Sequence, residues 1–446
     1  MKEAIILIPG IMGSELKDNG EVIWPGKVWE LKSPYSHMES LRKPDLEVSD
    51  IIRDYPFQKQ YADLIEALNK GGFEEGENGT LRVCPYDWRK DNAIAADGLA
   101  DVLDDFVLSL GDDCAITLLA HSMGGLVARY YLESNLYSKR SGFAKVSTLI
   151  TMGTPHKGAP MALAAAVGME KRAFLNASQV QEIANNVNFP SLYQLLPPRG
   201  EPFAWNRQPE ARYSHVDIYE ETIAKALKLS LENLRSAEMF HEKLALSQKP
   251  ANVRYFFFAG TQYKTTSSVQ IESTADGRLT LIKDERDDAG DGTVPFWSGT
   301  QSGIQTEAVG ESHGTIYKDK GLKFILGGLL GQSGRLAAVG YVAEISVNPP
   351  VVEVDGKFQV VINLPEGTVE MHAALKLYRV NDDAVAGAVG AETFFKDEEV
   401  SYKGPEVDHL AVVLSTPAYP GIYRIGFAPE KDAAEVASTI LIVQDI

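Results

Sequence analysis

Cysteine is nearly absent from this sequence. Only Cys84 and Cys114 occur in 446 residues. Both fall in stretches that read as strands, so the thiols are expected to be reduced and structural, and one pair is a weak basis for an oxidising compartment. Long apolar runs are missing too. Nothing approaches the roughly 20 residues that span a bilayer, and the most apolar stretch, residues 321–331, reads as a short buried helix. Positive charge is in deficit, with 43 Lys and Arg against 61 Asp and Glu and a net charge of −18. Residues 341–446 carry 7 of the basic and 17 of the acidic residues. That balance argues against nucleic acid and against electrostatic docking on anionic lipid, while transient apolar contact with an interface stays open. The H-x-x-x-H and C-x-x-C spacings that hold metals are absent, and the glycine-punctuated stretch at residues 10–13 lacks the lysine of a phosphate loop, so neither metal nor cofactor is expected. No pair of carboxylates stands on opposed strand ends as glycoside hydrolysis requires. No signal peptide is read, because the apolar residues 4–8 run straight into a candidate site loop. A cytoplasmic location is the expectation.

What is present is organised around Leu118-Leu119-Ala120-His121-Ser122-Met123-Gly124-Gly125. Residues 115–120 form an apolar run typical of a buried parallel strand, and Leu126, Val127, Tyr130 and Tyr131 follow at helical spacing. A serine between such a strand and helix, with glycine two residues on, is a nucleophile elbow with Ala120 in place of its usual first glycine. The turn exposes the Met123 N–H at the helix start, one half of an oxyanion hole. Residues 9–14, Pro-Gly-Ile-Met-Gly-Ser, follow the strand at residues 3–8 and are placed to supply the other half from Ile11.

Strands near residues 3–8, 81–86, 115–120, 146–152 and 253–260, with helices over 61–69 and 93–110, alternate as in a doubly wound, mostly parallel α/β sheet. Residues 159–250 read as helices and loops without a strand, a cap or lid inserted at the sheet edge, with one helix striped by Ile223, Leu227, Leu231 and Leu234. Residues 278–283 read as a strand or hairpin arm. From about residue 342 the composition changes to six or seven short alternating strands with Pro and Gly turns, which suggests an immunoglobulin-like β-sandwich. The expected division is a catalytic domain over residues 1–335, a glycine-rich linker within 327–340, and a sandwich over 341–446.

Acyl transfer by serine needs a histidine to take its proton and a carboxylate to orient that imidazole, and the hydrolase order is Ser, then acid, then His. Of the eight histidines, only His313 follows the acid candidates, precedes the β domain and lies in a glycine-flanked loop. His121 cannot reach round to its neighbour's hydroxyl. Asp291, between two glycines and followed by Thr293, is preferred over Asp287 and Asp288, which belong to a charged run of the kind usually solvated. Met12, Trp24 in the aromatic segment 20–44, and His156 at the same sheet edge are expected to line the substrate site.

Six motifs together resemble the lecithin:cholesterol acyltransferase and lysosomal phospholipase A2 family. They are Pro-Gly-Ile-Met-Gly-Ser at 9–14, Pro-Tyr-Asp-Trp-Arg at 85–89, His-Ser-Met-Gly-Gly at 121–125, Gly-Thr-Pro-His-Lys-Gly at 153–158, Ser-Leu-Tyr-Gln-Leu-Leu-Pro at 191–197 and Gly-Asp-Gly-Thr-Val-Pro at 290–295. The resemblance covers about residues 4–330. It implies an α/β-hydrolase with a cap, an acyl-ester enzyme acting on phospholipid-like substrates, and an oxyanion hole carried onto Ile11 and Met123. Two departures suggest a bacterial relative: the 20–44 loop has no cysteine for the disulfide-tied lid of eukaryotic members, and the C-terminal sandwich is extra. The expected function is a serine esterase, lipase or O-acyltransferase. The alternatives are a non-lipid esterase or amidase, and a silent binding protein whose acidic C-terminal domain docks a protein or glycan.

Overall fold

The computed structural model describes all residues except 1, 27–29, 31–34, 56–57, 60, 77, 209–213, 275–277, 332–343, 349–350, 381–391, 431–432, 434 and 445–446. The chain divides into two compact units. One comprises residues 1–25, 37–52 and 63–337, and the other residues 26–36, 53–62 and 338–446. Most of the expected linker, and both sides of the boundary expected at 335–341, lie outside the described residues.

The first unit is built on a six-stranded parallel sheet: β1 (Lys2–Ile8), β2 (Leu81–Val83), β3 (Cys114–His121), β4 (Val146–Met152), β5 (Arg254–Gly260) and β6 (Gln305–Val309). The spatial order is β6-β5-β4-β3-β1-β2. The four inner strands, β1, β3, β4 and β5, are largely apolar because layers on both faces cover them, and all eight residues of β3 are buried. The chain runs outward from β1 to β2 and then returns to the other side of β1 with β3. The loops after β1 and β3 therefore diverge from a switch point, where an open parallel sheet forms a crevice. Helix α1 (Asn92–Leu110), N-capped by Asp91, links β2 to β3, and α2 (Met123–Glu133) follows β3 with every residue buried.

Three expectations change in detail. Residues 159–250 do contain a strand, Ala204–Asn206, which pairs in parallel with residues 269–271. Three residues are too few to show alternation, and pairing with a distant hairpin makes the strand. The apolar stripe expected on one helix is split between Glu221–Ala226 and Leu231–His241. The break falls at Lys228, whose φ of +58° no helix interior accepts.

The second unit is β-rich and mainly antiparallel, but its strands are longer than the sequence pattern suggests. Lys357–Val380 and Glu392–Ser415 pair along 24 residues each. Pro365, Gly367, Gly404 and Pro405 read as turns in the sequence. The pairing continues past them through register shifts between Asn363 and Thr368 and between Thr368 and Glu370, the usual accommodation of residues that break a ladder. Phe358, Val360, Ile362, Leu375, Leu377, Tyr423, Ile425, Phe427, Leu441 and Val443 form this unit's core.

Candidate active site

Ser122 sits between β3 and α2 with φ 52° and ψ −126°, a strained conformation for a non-glycine residue. Its N–H donates to the Met152 carbonyl at 2.9 Å, and its carbonyl accepts from Thr154 Oγ1 at 2.8 Å, so β4 and the loop after it hold the turn. Close packing explains the two glycines that follow. A Cβ on Gly124 would stand 2.4 Å from the Pro9 carbonyl oxygen, and one on Gly125 would stand 2.1 Å from Thr154 Oγ1. Only glycine lets α2 cross that close to the β1 and β4 loops.

His313 lies beyond β6, and Asp291 at the end of a hairpin formed by Tyr263–Ser273 and Leu279–Gly290. The structure brings both to Ser122. His313 Nε2 is 2.8 Å from Ser122 Oγ, and His313 Nδ1 is 2.8 Å from Asp291 Oδ2. Asp291 is 1% exposed, and its other oxygen, Oδ1, accepts from the N–H groups of Thr293 at 2.9 Å and Val294 at 2.7 Å. Those bonds use the lone pairs not directed at the imidazole and fix the orientation of the carboxylate. Its backbone carbonyl accepts the His313 N–H at 2.8 Å, a second tie between the two loops. Gly260 makes room: a Cβ there would come within 2.4 Å of Asp291 Cβ. Asp287 and Asp288 sit exposed on the hairpin arm.

The loop at residues 9–14 lies against the elbow. A Cβ on Gly10 would stand 2.8 Å from Ser122 Cβ. Met12 has φ +61°, and its carbonyl accepts from Trp24 Nε1 at 3.0 Å. Trp24 is fully buried, with ring centroids 5.1 Å from Trp88 and 5.8 Å from Phe174, so it braces this loop from the interior. The residues expected to line the substrate site thus differ in kind. Ile11 and Met12 are part-exposed beside Ser122, whereas Trp24 supports them from below. His156 is also interior. It is 4% exposed and stacks on Phe257 at 3.8 Å, with Nε2 3.1 Å from Thr151 Oγ1 and Nδ1 3.5 Å from Arg129 Nη1. Burial and then the Arg129 charge push its pKa well below the ordinary histidine value, so the ring packs as a neutral group beneath the sheet. Arg129 in turn is held by Glu133 through two 2.8 Å bonds along α2.

Pro-Tyr-Asp-Trp-Arg at 85–89, for which the sequence suggests no role, serves as the scaffold under this loop. Tyr86 donates its hydroxyl to the Pro9 carbonyl at 2.9 Å and its N–H to Ser14 Oγ at 3.1 Å. Arg89, buried, clasps Asp87 at 2.9 and 2.6 Å and donates to the Leu41 and Lys43 carbonyls. Ser191 Oγ donates to the Trp88 carbonyl at 2.6 Å, and Gln194 Oε1 accepts the Asn92 N–H at 2.8 Å. Two motifs a hundred residues apart are therefore each other's anchors, and they pin the 159–250 insertion along its middle.

His121, adjacent to Ser122 in the chain, cannot reach round to its hydroxyl. It is buried, and its Nε2 lies 2.9 Å from the His313 carbonyl oxygen, with the two rings 5.1 Å apart. Among the described residues no group of three or more His, Cys, Asp or Glu is arranged to hold a metal, and no helix is long and apolar enough to cross a membrane.

In the solved structures, one chain of the Tle4–Tli4 complex superposes with a TM-score of 0.52 at 16% identity, over 76% of this chain and 99% of that one. The metagenomic carboxyl esterase MGS0156 aligns over 70% of this chain and 64% of its own, at 13% identity and a TM-score of 0.30. The GPI inositol-deacylase of Coccidioides immitis (strain RS) is 44% identical over 54 residues, 12% of this chain and 4% of that protein's length. The lecithin:cholesterol acyltransferase family model matches residues 46–296, more than half of the sequence. This chain is an α/β-hydrolase that belongs to the lecithin:cholesterol acyltransferase family.

Proposed function

We propose that this protein is a serine-dependent enzyme that cleaves lipid carboxylic esters or passes their acyl group to an alcohol, through an acyl-enzyme on Ser122. The supporting observation is the unbroken relay from Ser122 Oγ through His313 to Asp291, at 2.8 Å for each step, within this family's fold. His313 Nε2 takes the hydroxyl proton as Oγ attacks the ester carbonyl, while Asp291 holds the Nδ1–H tautomer and stabilises the imidazolium. The backbone N–H groups of Ile11 and Met123 receive the tetrahedral oxyanion; losing one such donor costs about 3–4 kcal/mol of transition-state stabilisation. Collapse expels the alcohol, which takes the proton back from His313. Water or a second alcohol then repeats the sequence in reverse and frees Ser122.

A fluorophosphonate probe tests the nucleophile. Wild-type protein is labelled at Ser122, and Ser122→Ala is not labelled and does not turn over a short p-nitrophenyl ester. Full activity in a folded Ser122→Ala protein rules the reading out. Mass spectrometry of products from a mixed lipid extract, with and without added alcohol, then separates hydrolysis from transfer.

A further inference from the structure

The relay above leaves one buried polar side chain beside it without a role. His121 precedes the nucleophile, its ring stands edge-on to Tyr317 with centroids 5.7 Å apart, and Nε2 is 2.9 Å from the His313 carbonyl oxygen. A carbonyl only accepts, so Nε2 must carry the proton. Burial, and next the neighbouring His313, push the His121 pKa down to about 3, so the ring keeps that neutral tautomer throughout the range in which an esterase works. The His313 peptide is then gripped on both sides: its N–H donates to the Asp291 carbonyl at 2.8 Å and its carbonyl accepts from His121. One grip comes from the acid's loop and the other from the nucleophile's own strand.

We infer that His121 is a positioning residue that sets the reach of His313 to Ser122, by donating Nε2–H to the backbone carbonyl of His313. The inference rests on the proposed function, since it assigns a purpose to His121 only if His313 is the base. His313 is carried on a loop, between Gly310 and Gly314, rather than on a helix or strand, so no regular element fixes it. Anchoring its main chain to residue 121 transmits the position of β3 directly to the base. Burial disfavours a charged imidazolium at residue 121, so this side chain does not compete with His313 for the Ser122 proton.

The test compares His121→Leu, which fills the space without a donor, with His121→Gln, whose terminal amide nitrogen takes the place of Nε2. Turnover of p-nitrophenyl butyrate and the second-order rate of fluorophosphonate labelling are measured beside thermal unfolding. His121→Leu is expected to lower kcat and the labelling rate about 10–100-fold with KM little changed, the scale of a misplaced catalytic group. His121→Gln is expected to recover most of that loss. A folded His121→Leu within about twofold of wild type overturns the inference, as does a folded His121→Gln no better than His121→Leu. A role in folding alone would lower melting temperature and active fraction together and leave kcat per labelled site unchanged. If His121→Leu does not fold, imidazole ¹⁵N spectra of wild type, assigned by difference from His121→Gln, decide the matter. A His121 ring that is neutral with the proton on Nε2 at about pH 5 supports the grip, and one protonated there or carrying its proton on Nδ1 refutes it. Wild-type protein that neither labels nor turns over would instead sink the proposed function.

Discussion

Acidification from about pH 7 to about pH 5 should weaken the first unit, because burial holds His121, His156 and also His241, whose pKa is lowered to about 4, in neutral form. His121 and His156 are each 4% exposed, and burial is the main cause that depresses both, to about 3 for His121 and well below the ordinary value of 6.5 for His156. The unfolded chain takes up a proton at each ring below about pH 6.5, and the folded chain does not. Stability therefore rises with pH through this window. The contribution is complete above 6.5 and is lost as pH falls toward the folded values. Each pH unit below 6.5 costs about 1.4 kcal/mol for a ring held neutral, so at pH 5 His121 alone has lost about 2 kcal/mol, and His156 and His241 add losses of the same sign. Together these are a large part of the ~5–15 kcal/mol by which a domain is stable. All five tryptophans precede residue 300, so fluorescence-detected urea unfolding follows mainly the first unit. The midpoint should drop steadily between about pH 6.5 and 5, and His156→Gln should make that slope shallower without abolishing it, since His121 and His241 still contribute. A midpoint flat over this interval, with unchanged m, would show that these rings are not held neutral and would refute the argument.

The parts legible in the sequence were those where one physical constraint acts locally. β3 and β4 had to be largely apolar because both faces are covered, and the strained turn at Ser122 had to be followed closely by residues with no Cβ. The order of Ser122, Asp291 and His313 could be read because each closes a strand or hairpin at one rim of the sheet, and the structure brings all three within hydrogen-bonding distance. What escaped was carried by contacts between distant segments. An aromatic loop residue such as Trp24 looks the same in sequence whether it faces a substrate or, as here, donates to the Met12 carbonyl from the interior. His156 in a loop motif resembles a pocket residue until Arg129 is found beside it. Tyr86 and Ser191 carry no periodicity at all, so their bonds to Pro9 and Trp88 could only be found in three dimensions. The one signal on offer was that short motifs of no obvious chemistry recur beside chemical ones; such motifs are where scaffolding should be sought.

The remaining expectations concern the relay and the ion pair beneath it. Asp291→Asn should keep the fold and lower kcat about 10⁴-fold, since an amide in place of Oδ2 favours the wrong imidazole tautomer; near-normal turnover in a pH-controlled ester assay would count against Asp291. Gly125→Ala should destabilise the first unit by more than the ~1–3 kcal/mol typical of overpacking, because its Cβ would meet Thr154 Oγ1 at 2.1 Å, and chemical denaturation measures the loss. If the 159–250 insertion covers an acyl site, long-chain esters should respond to detergent micelles far more than short soluble ones, and an equal response argues against a cap. Arg129 separates two origins of stability. Arg129→Met leaves the Glu133 carboxylate buried without its two 2.8 Å bonds, at a cost of about 3–5 kcal/mol. Arg129→Met with Glu133→Leu removes both charges, and because each had to be stripped of water on folding, the double variant should regain most of that loss. It should also let the His156 ring titrate at higher pH, since the second cause of its depression is gone. A double variant as unstable as Arg129→Met alone would mean that the loss comes from the guanidinium's contacts with His156 rather than from an unpaired Glu133 charge.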